Sequence, residues 1–173
     1  MDSYLARLQR ELEDAIAMAS LADLARGPGE KWTPAQILEH LYLTYMNTNR
    51  GVRKCLETCS PLATRATLKQ RVGKLVVITL GYIPGGRKAP ERATPRGLPV
   101  EQVLERIFAE ISRMDSGLAD LETKFGSATA VLDHPLLGPL NVEHWRKFHL
   151  LHARHHARQI RERLMRAEVQ GSA

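Results

Sequence analysis

The run Leu-His-Ala-Arg-His-His-Ala-Arg-Gln-Ile, at residues 151–160, lies in a long segment of helical periodicity near the end of the chain. Residues four apart lie about one helical turn apart, so His152 and His156 point the same way. Two such imidazoles can bind one metal ion, and a third from a neighbouring helix would complete a three-histidine site. A third histidine, His40, lies far upstream on another predicted helix and is a candidate for this position. A three-histidine site leaves coordination positions for water or substrate, as catalytic zinc sites do.

Spacing alone does not fix which histidines would be ligands. All but two of the seven histidines lie between His144 and His156, and the pairs His149/His152 and His152/His155 have a three-residue spacing that ligands also use. A cluster of neutral imidazoles that bind loop carbonyls without metal is the competing interpretation. His149 is our candidate for a catalytic general base or for an orienting partner of a ligand histidine. Gln159 could also orient a ligand.

Hydrophobic periodicity, capping residues and helix breakers predict five helices and no strand. The clearest start is at Thr33, which can cap a helix while Pro34 takes its first position and Gln36 completes a capping box. The stretch Gly27-Pro28-Gly29 ends the helix before it. The predicted helices cover about residues 2–26, 34–59, 62–83, 99–124 and 142–166.

Two loops separate the later helices. The first, residues 84–98, is rich in proline and glycine and could cover a site. The second spans about residues 126–140, after which Asn141 caps the last helix. Leu75-Val76-Val77-Ile78 would suit a strand, but the unbroken segment around it favours a buried helix. We therefore expect a single all-α domain over residues 1–173, built as a helical bundle.

Composition sets broad limits on location and partners. The hydrophobic content of 43% and charged content of 25% are ordinary for a globular domain. No apolar run approaches the roughly 20 residues of a membrane span, and the start, Met-Asp-Ser-Tyr-Leu, lacks the regions of a signal peptide. We expect a cytoplasmic protein without a membrane partner. Cys55 and Cys59 are then expected to be reduced thiols.

The net charge of +6 is concentrated in two places. The last predicted helix carries a basic side that faces away from the histidines, at Arg154, Arg158 and Arg161. The first loop carries the other excess of positive charge, at Arg87, Lys88, Arg92 and Arg96. We interpret both as solvated surfaces. An anionic substrate remains an alternative, and nucleic acid is an unfavoured one because aromatic content is only 5%.

Two motifs together resemble the DinB-like superfamily. One is the run His152-Ala-Arg-His-His156-Ala-Arg-Gln159, and the other is Trp32-Thr-Pro-Ala-Gln-Ile-Leu-Glu-His40. The loop His134-Pro-Leu-Leu-Gly-Pro-Leu140 followed by Trp145 is similar to one uncharacterised branch of that superfamily. Many members have Gly where this chain has Arg158.

The resemblance implies a four-helix bundle with an additional short or fifth helix. It also implies a divalent metal, nickel, zinc or iron, held by His40, His152 and His156. Characterised relatives include transferases and isomerases that use bacillithiol, mycothiol or glutathione, so a low-molecular-weight thiol is the implied second cofactor. The metal would favour the thiolate, which is the reactive nucleophile.

Three classes of function follow from these observations. The first is a metal-dependent S-transferase that joins a small thiol to a small electrophilic substrate. The second is a metal-dependent hydrolase, and the third is a bundle in which the cluster is only structural. A homodimer formed through a helix face is possible for any of them.

Overall fold

Long helices dominate the computed structural model, which describes residues 1–27, 29, 31–84 and 88–171, with residues 167–171 described by their backbone alone. The helices and strands are, in chain order, α1 Ser3–Ile16, α2 Leu21–Ala25, α3 Pro34–Glu57, α4 Leu68–Lys74, α5 Val100–Phe125, β1 Ala130–His134, β2 Gly138–Asn141 and α6 Val142–Gly171. A π-helical turn at Leu75–Thr79 continues α4, and a short 3-10 turn lies at Glu91–Ala93. The predicted all-α class is confirmed.

Four long helices, α1, α3, α5 and α6, form the bundle. Helix α3 packs along α5, and α1 packs along α6. Each presents an apolar stripe to a common core that includes Leu8, Tyr45, Ile107 and Leu118. Burial of these apolar stripes holds α3 and α6, the helices that carry the histidines, at a fixed distance from each other.

The predicted starts of α3 and α6 are confirmed. The hydroxyl of Thr33 accepts the backbone N–H of Gln36, whose side chain accepts the N–H of Thr33 in return. The side chain of Asn141 accepts the N–H of His144 at 2.9 Å. These caps set the helical phase of both histidine-bearing helices.

The first predicted helix, residues 2–26, is wrong in its extent because the chain breaks after Ile16 and restarts at Leu21. Ser20 and Asp23 form a reciprocal capping box that starts α2. This box satisfies backbone donors that a continuous helix would have bonded internally. Within the predicted breaker, Gly27 and Gly29 are described, whereas Pro28 lies outside the described residues.

The predicted helix at 62–83 is also wrong over its first turns. The backbone N–H and hydroxyl of Thr64 donate to Asp133, and the N–H of Leu62 donates to Val131 at 2.9 Å. These bonds hold residues 61–67 extended beside β1. Thr67 and Gln70 then form a capping box that starts α4 only at Leu68.

A short antiparallel hairpin replaces most of the predicted loop at 126–140, which corrects the expectation that no strand forms. Strand β1 pairs with β2 in the register Leu132↔Leu140 and His134↔Gly138. The turn is stabilised by the His134 ring, whose Nδ1 accepts the N–H groups of Leu136 and Leu137, both at 3.2 Å. The hairpin directly precedes α6, at the N-terminal end of that helix, and helps to enclose the space beside the histidines.

Candidate metal centre

Three imidazoles converge between α3 and α6. Nε2 of His152 lies 3.3 Å from Nε2 of His40 and 3.1 Å from Nε2 of His156. One ring nitrogen from each residue lies within 4.8 Å of the other two. The predicted convergence of His40 with the His152/His156 pair is confirmed, because α3 presents His40 directly opposite one turn of α6.

Hydrogen bonds at the far side of the rings orient two of these imidazoles. The carbonyl of Ala93 lies 2.7 Å from Nδ1 of His40, and Oε1 of Gln159 lies 2.8 Å from Nδ1 of His156. An oxygen acceptor requires the proton on Nδ1, so both Nε2 atoms present a lone pair towards the centre of the cluster. The predicted orienting role of Gln159 is thus visible in its contact with His156.

Burial keeps all three rings in the neutral form. Burial lowers the pKa of His40, against a smaller opposing effect of the bond to Ala93. Burial, together with the positive charge that His40 would carry, lowers the pKa of His156 to about 3. Burial and the neighbouring His156 and His40 also lower the pKa of His152 well below its ordinary value. Neutral imidazole is the form that binds metal ions.

These observations test whether the residues fit a divalent ion. The cluster supplies three neutral nitrogen donors, with His40 and His156 buried and His152 partly exposed. Two of the donors have the oxygen partners at Nδ1 that metal-ligating histidines usually have. Nδ1 of His152 has no hydrogen-bond partner among the described residues. The donor set fits zinc, nickel or iron, since imidazole suits each of them.

The two neighbouring histidines on α6 lie outside the triad. Nε2 of His155 lies 3.1 Å from the amide nitrogen of Gln159. His149 is fully buried, and its Nε2 lies 3.1 Å from the Thr48 hydroxyl. Its ring stacks on Trp145, and burial lowers its pKa to about 3. A catalytic role for His149 stays a prediction.

Sequence reasoning missed two groups that support His40. One is the Ala93 carbonyl, and backbone groups leave no mark in a sequence. The other is Glu39, which is 1% exposed and accepts the backbone N–H groups of Arg96, Gly97 and Leu98 at 2.7, 3.0 and 3.2 Å. Its position beside His40 in a buried helical turn was the available signal. Glu39 holds the loop that carries Ala93 against α3.

A cavity of about 1390 Å³ opens beside the cluster. His40, His152 and His156 form part of its wall, and the ring of Trp32 packs against His40 with 5.3 Å between centroids. Other parts of the wall come from α4, the π-helical turn and the hairpin. A ligand in this cavity can therefore reach the three nitrogen donors.

The two basic regions have different environments. Arg154 and Arg161 bind Glu11 on α1, and Arg158 pairs with Glu162, so this side of α6 faces away from the histidines as predicted. In the first loop Lys88 and Arg92 line the cavity. Arg87 lies outside the described residues.

The two cysteines are free thiols, as expected. Cys55 is buried and Cys59 is exposed. The Cys55 thiol donates to the Val131 carbonyl at 3.3 Å, which ties α3 to the hairpin.

Comparison with known proteins gives one family. The model of the DinB superfamily matches residues 4–160. No curated protein and no solved structure gives a significant match. Within the described part of the chain, every helix is too short or too polar to cross a membrane.

Proposed function

Because the chain belongs to the DinB superfamily, we propose that it binds one divalent metal ion through His40, His152 and His156 and uses it to transfer a small thiol to an electrophilic substrate. The observation that carries the proposal is the convergence of three Nε2 atoms, within 4.8 Å of one another, on the wall of a large cavity.

The ligand assignment is supported by the way the protein prepares the donors. Ala93 and Gln159 hold the protons of His40 and His156 on the nitrogen remote from the centre. The two nitrogens at the centre are therefore already in the state that a metal needs. Orienting partners of this kind typically change metal affinity by about 10–100-fold.

A bound divalent ion would supply Lewis-acid chemistry, lowering the pKa of a thiol or water molecule that it coordinates. The protein's own contribution is to bind and shield the reactants. Trp32 covers one side of His40, and apolar side chains form much of the cavity wall. The proposal assigns no reacting atom to Cys55 or Cys59, since the attacking sulfur belongs to the added thiol.

The size of the cavity favours a reaction between two molecules. Ligand pockets commonly have volumes of about 300–1,000 Å³. The cavity here, at about 1390 Å³, has room for a thiol and a second small molecule at once. A site that only stabilised the bundle would need no such space.

We assign His149 a positioning role in this proposal. Its ring is held between the Thr48 hydroxyl and the Trp145 ring, one turn before His152. Thr48 and Trp145 both line the cavity, so His149 supports the wall from behind. Complete burial and the lowered pKa disfavour it as a general base working near pH 7.

The test is a conjugation assay with metal-loaded protein, glutathione, bacillithiol or mycothiol, and a model electrophile. His152→Ala is expected to lose both the metal and the thiol-dependent rate. His144→Ala is the matched control, because this histidine of α6 places no nitrogen in the triad and lies outside the cavity wall described. Equal conjugation by wild type and His152→Ala would remove the metal from the mechanism. Metal binding without conjugation of any thiol would favour a hydrolase or a structural site.

A further inference from the structure

The walls of the cavity carry an excess of positive charge. One carboxylate, Asp133, lies among the described residues that form the wall, and it is already bonded to the backbone and hydroxyl of Thr64. Five cationic side chains share that wall, namely Lys31, Lys69, Lys88, Arg92 and Arg163. A low-dielectric cleft lined by one sign of charge concentrates ligands of the opposite sign.

Two of these cations adjoin residues that contact His40. Arg92 precedes Ala93, the residue whose carbonyl binds His40. Arg163 is half-buried, and its Nε donates to the Trp32 carbonyl at 3.2 Å. Within the described part of the chain, neither guanidinium lies within ion-pair distance of a carboxylate. Arg154 and Arg161, on the same helix as Arg163, both have Glu11 as a partner.

The part of the wall formed by α4 and the π-helical turn exposes apolar side chains and carries no negative charge. No Asp or Glu occurs between Glu57 and Glu91, the stretch that contains α4 and the π-helical turn. Leu68 and Val72 line the cavity while remaining 78% and 55% exposed. Val76 and Val77, from the π-helical turn, continue this surface inwards. π-helical turns occur frequently at functional sites.

We propose that the cavity binds an organic anion with an apolar body, whose carboxylate or phosphate group lies at Arg92 and Arg163. The apolar body lies along Leu68, Val72 and the π-helical turn. Charge complementarity and the exposed apolar wall meet in the same cavity, and this favours a small ligand over a second protein or a membrane. Only the identification of this anion as the substrate depends on the proposed function.

Decanoate is a suitable probe, with decanol as its uncharged match. Isothermal titration of chelator-treated protein should show saturable binding of one decanoate, and decanol should bind about tenfold or more weakly because it lacks the charge. Octanoate should bind about tenfold more weakly than decanoate because it is two methylene groups shorter. Equal affinity for decanoate and decanol would overturn the assignment of the cations.

Variants locate the charged group. Arg163→Gln keeps a donor for the Trp32 carbonyl but loses the charge, and it should weaken decanoate binding about tenfold while leaving decanol unchanged. Arg166→Gln is the control, since Arg166 is an exposed residue of the same helix outside the cavity wall. Equal decanoate affinity for both variants would contradict the proposal. So would sedimentation of the protein with anionic phospholipid vesicles without saturable decanoate binding.

The two proposals fail separately in this design. Decanoate binding is measured without metal, so it survives if the three histidines bind no ion. Conversely, metal binding can be retained while decanoate fails to bind. The first outcome removes the proposed metal chemistry alone, and the second removes the proposed substrate class alone.

Discussion

Replacing Glu39 by Gln should destabilise the protein and weaken metal binding together. The buried Glu39 carboxylate accepts three backbone N–H groups, from Arg96, Gly97 and Leu98. A Gln side chain of the same shape has one oxygen, so it loses one of these bonds and the charge that strengthens the other two. The loop that it holds also carries Ala93, the partner of His40.

The magnitude follows from the three bonds. One lost bond to a charged acceptor costs about 2 kcal/mol, and the loss of charge costs the other two about 0.5–1 kcal/mol each. The cheaper burial of a neutral amide offsets about 1 kcal/mol of this sum. We expect Glu39→Gln to lower the free energy of unfolding by about 2–3 kcal/mol, and zinc affinity to fall about tenfold through the displaced Ala93 carbonyl.

Urea unfolding monitored by circular dichroism measures the first quantity, and competition with a zinc chelator dye measures the second. Glu57→Gln is the matched control, because its exposed carboxylate pairs with the exposed Arg53 at 3.4 Å and should contribute under about 0.5 kcal/mol. If Glu39→Gln unfolds at the same urea concentration as Glu57→Gln, the argument from the three bonds is refuted.

Three further outcomes are expected. Gln159→Leu removes the oxygen that holds the proton of His156 on Nδ1, so zinc affinity measured by dye competition should fall about 10–100-fold with little change in helix content. Burial lowers the pKa of His134 to about 4 in the folded chain, so the unfolded chain binds the proton first on acidification and stability should fall from about pH 6.5 towards pH 4. In His134→Asn, the slope of the unfolding free energy against pH, measured by urea titrations at several pH values, should become smaller by nearly one proton. An unchanged slope would contradict this prediction. Cys59→Ser should leave thiol-conjugation rates within about twofold of wild type, since Cys59 is exposed just beyond the end of α3 and lines no part of the cavity wall described.

The sequence predicted the elements whose signals are local. Thr33, Pro34 and Gln36 fixed the start of α3, and Asn141 fixed the start of α6. The same capping logic applied to Ser20 and Asp23 would have found the break before α2. Apolar residues continue at helical spacing across the end of α1, so residues 2–26 were predicted as one helix and that signal was missed.

The extended segment at 61–67 depended on a distant partner. Its residues are extended because Asp133 binds Thr64, a contact between positions far apart in sequence. No local propensity encodes this bond, so a tertiary contact overrides the helical pattern there. The turn of the hairpin is different, because the His134 ring accepts N–H groups only two and three residues further along the chain. That local signal lay within residues predicted as a loop.

The same distinction applies to the candidate site. The four-residue spacing identified His152 and His156, and the resemblance supplied His40. The groups that hold His40 and its loop, the Ala93 carbonyl and the Glu39 carboxylate, come from the packing of the loop on α3. Their roles therefore became visible only in three dimensions.

Zinc titration of protein purified without an affinity tag tests the central claim most directly. We expect one equivalent to bind wild type and His144→Ala with similar affinity, and His40→Ala to lose most of that affinity because it removes the donor that α3 contributes. Elemental analysis of the same preparations reads the metal that the protein carries from the cell. If wild type binds no divalent ion, or if His40→Ala binds zinc as tightly as wild type, the three-histidine centre is contradicted.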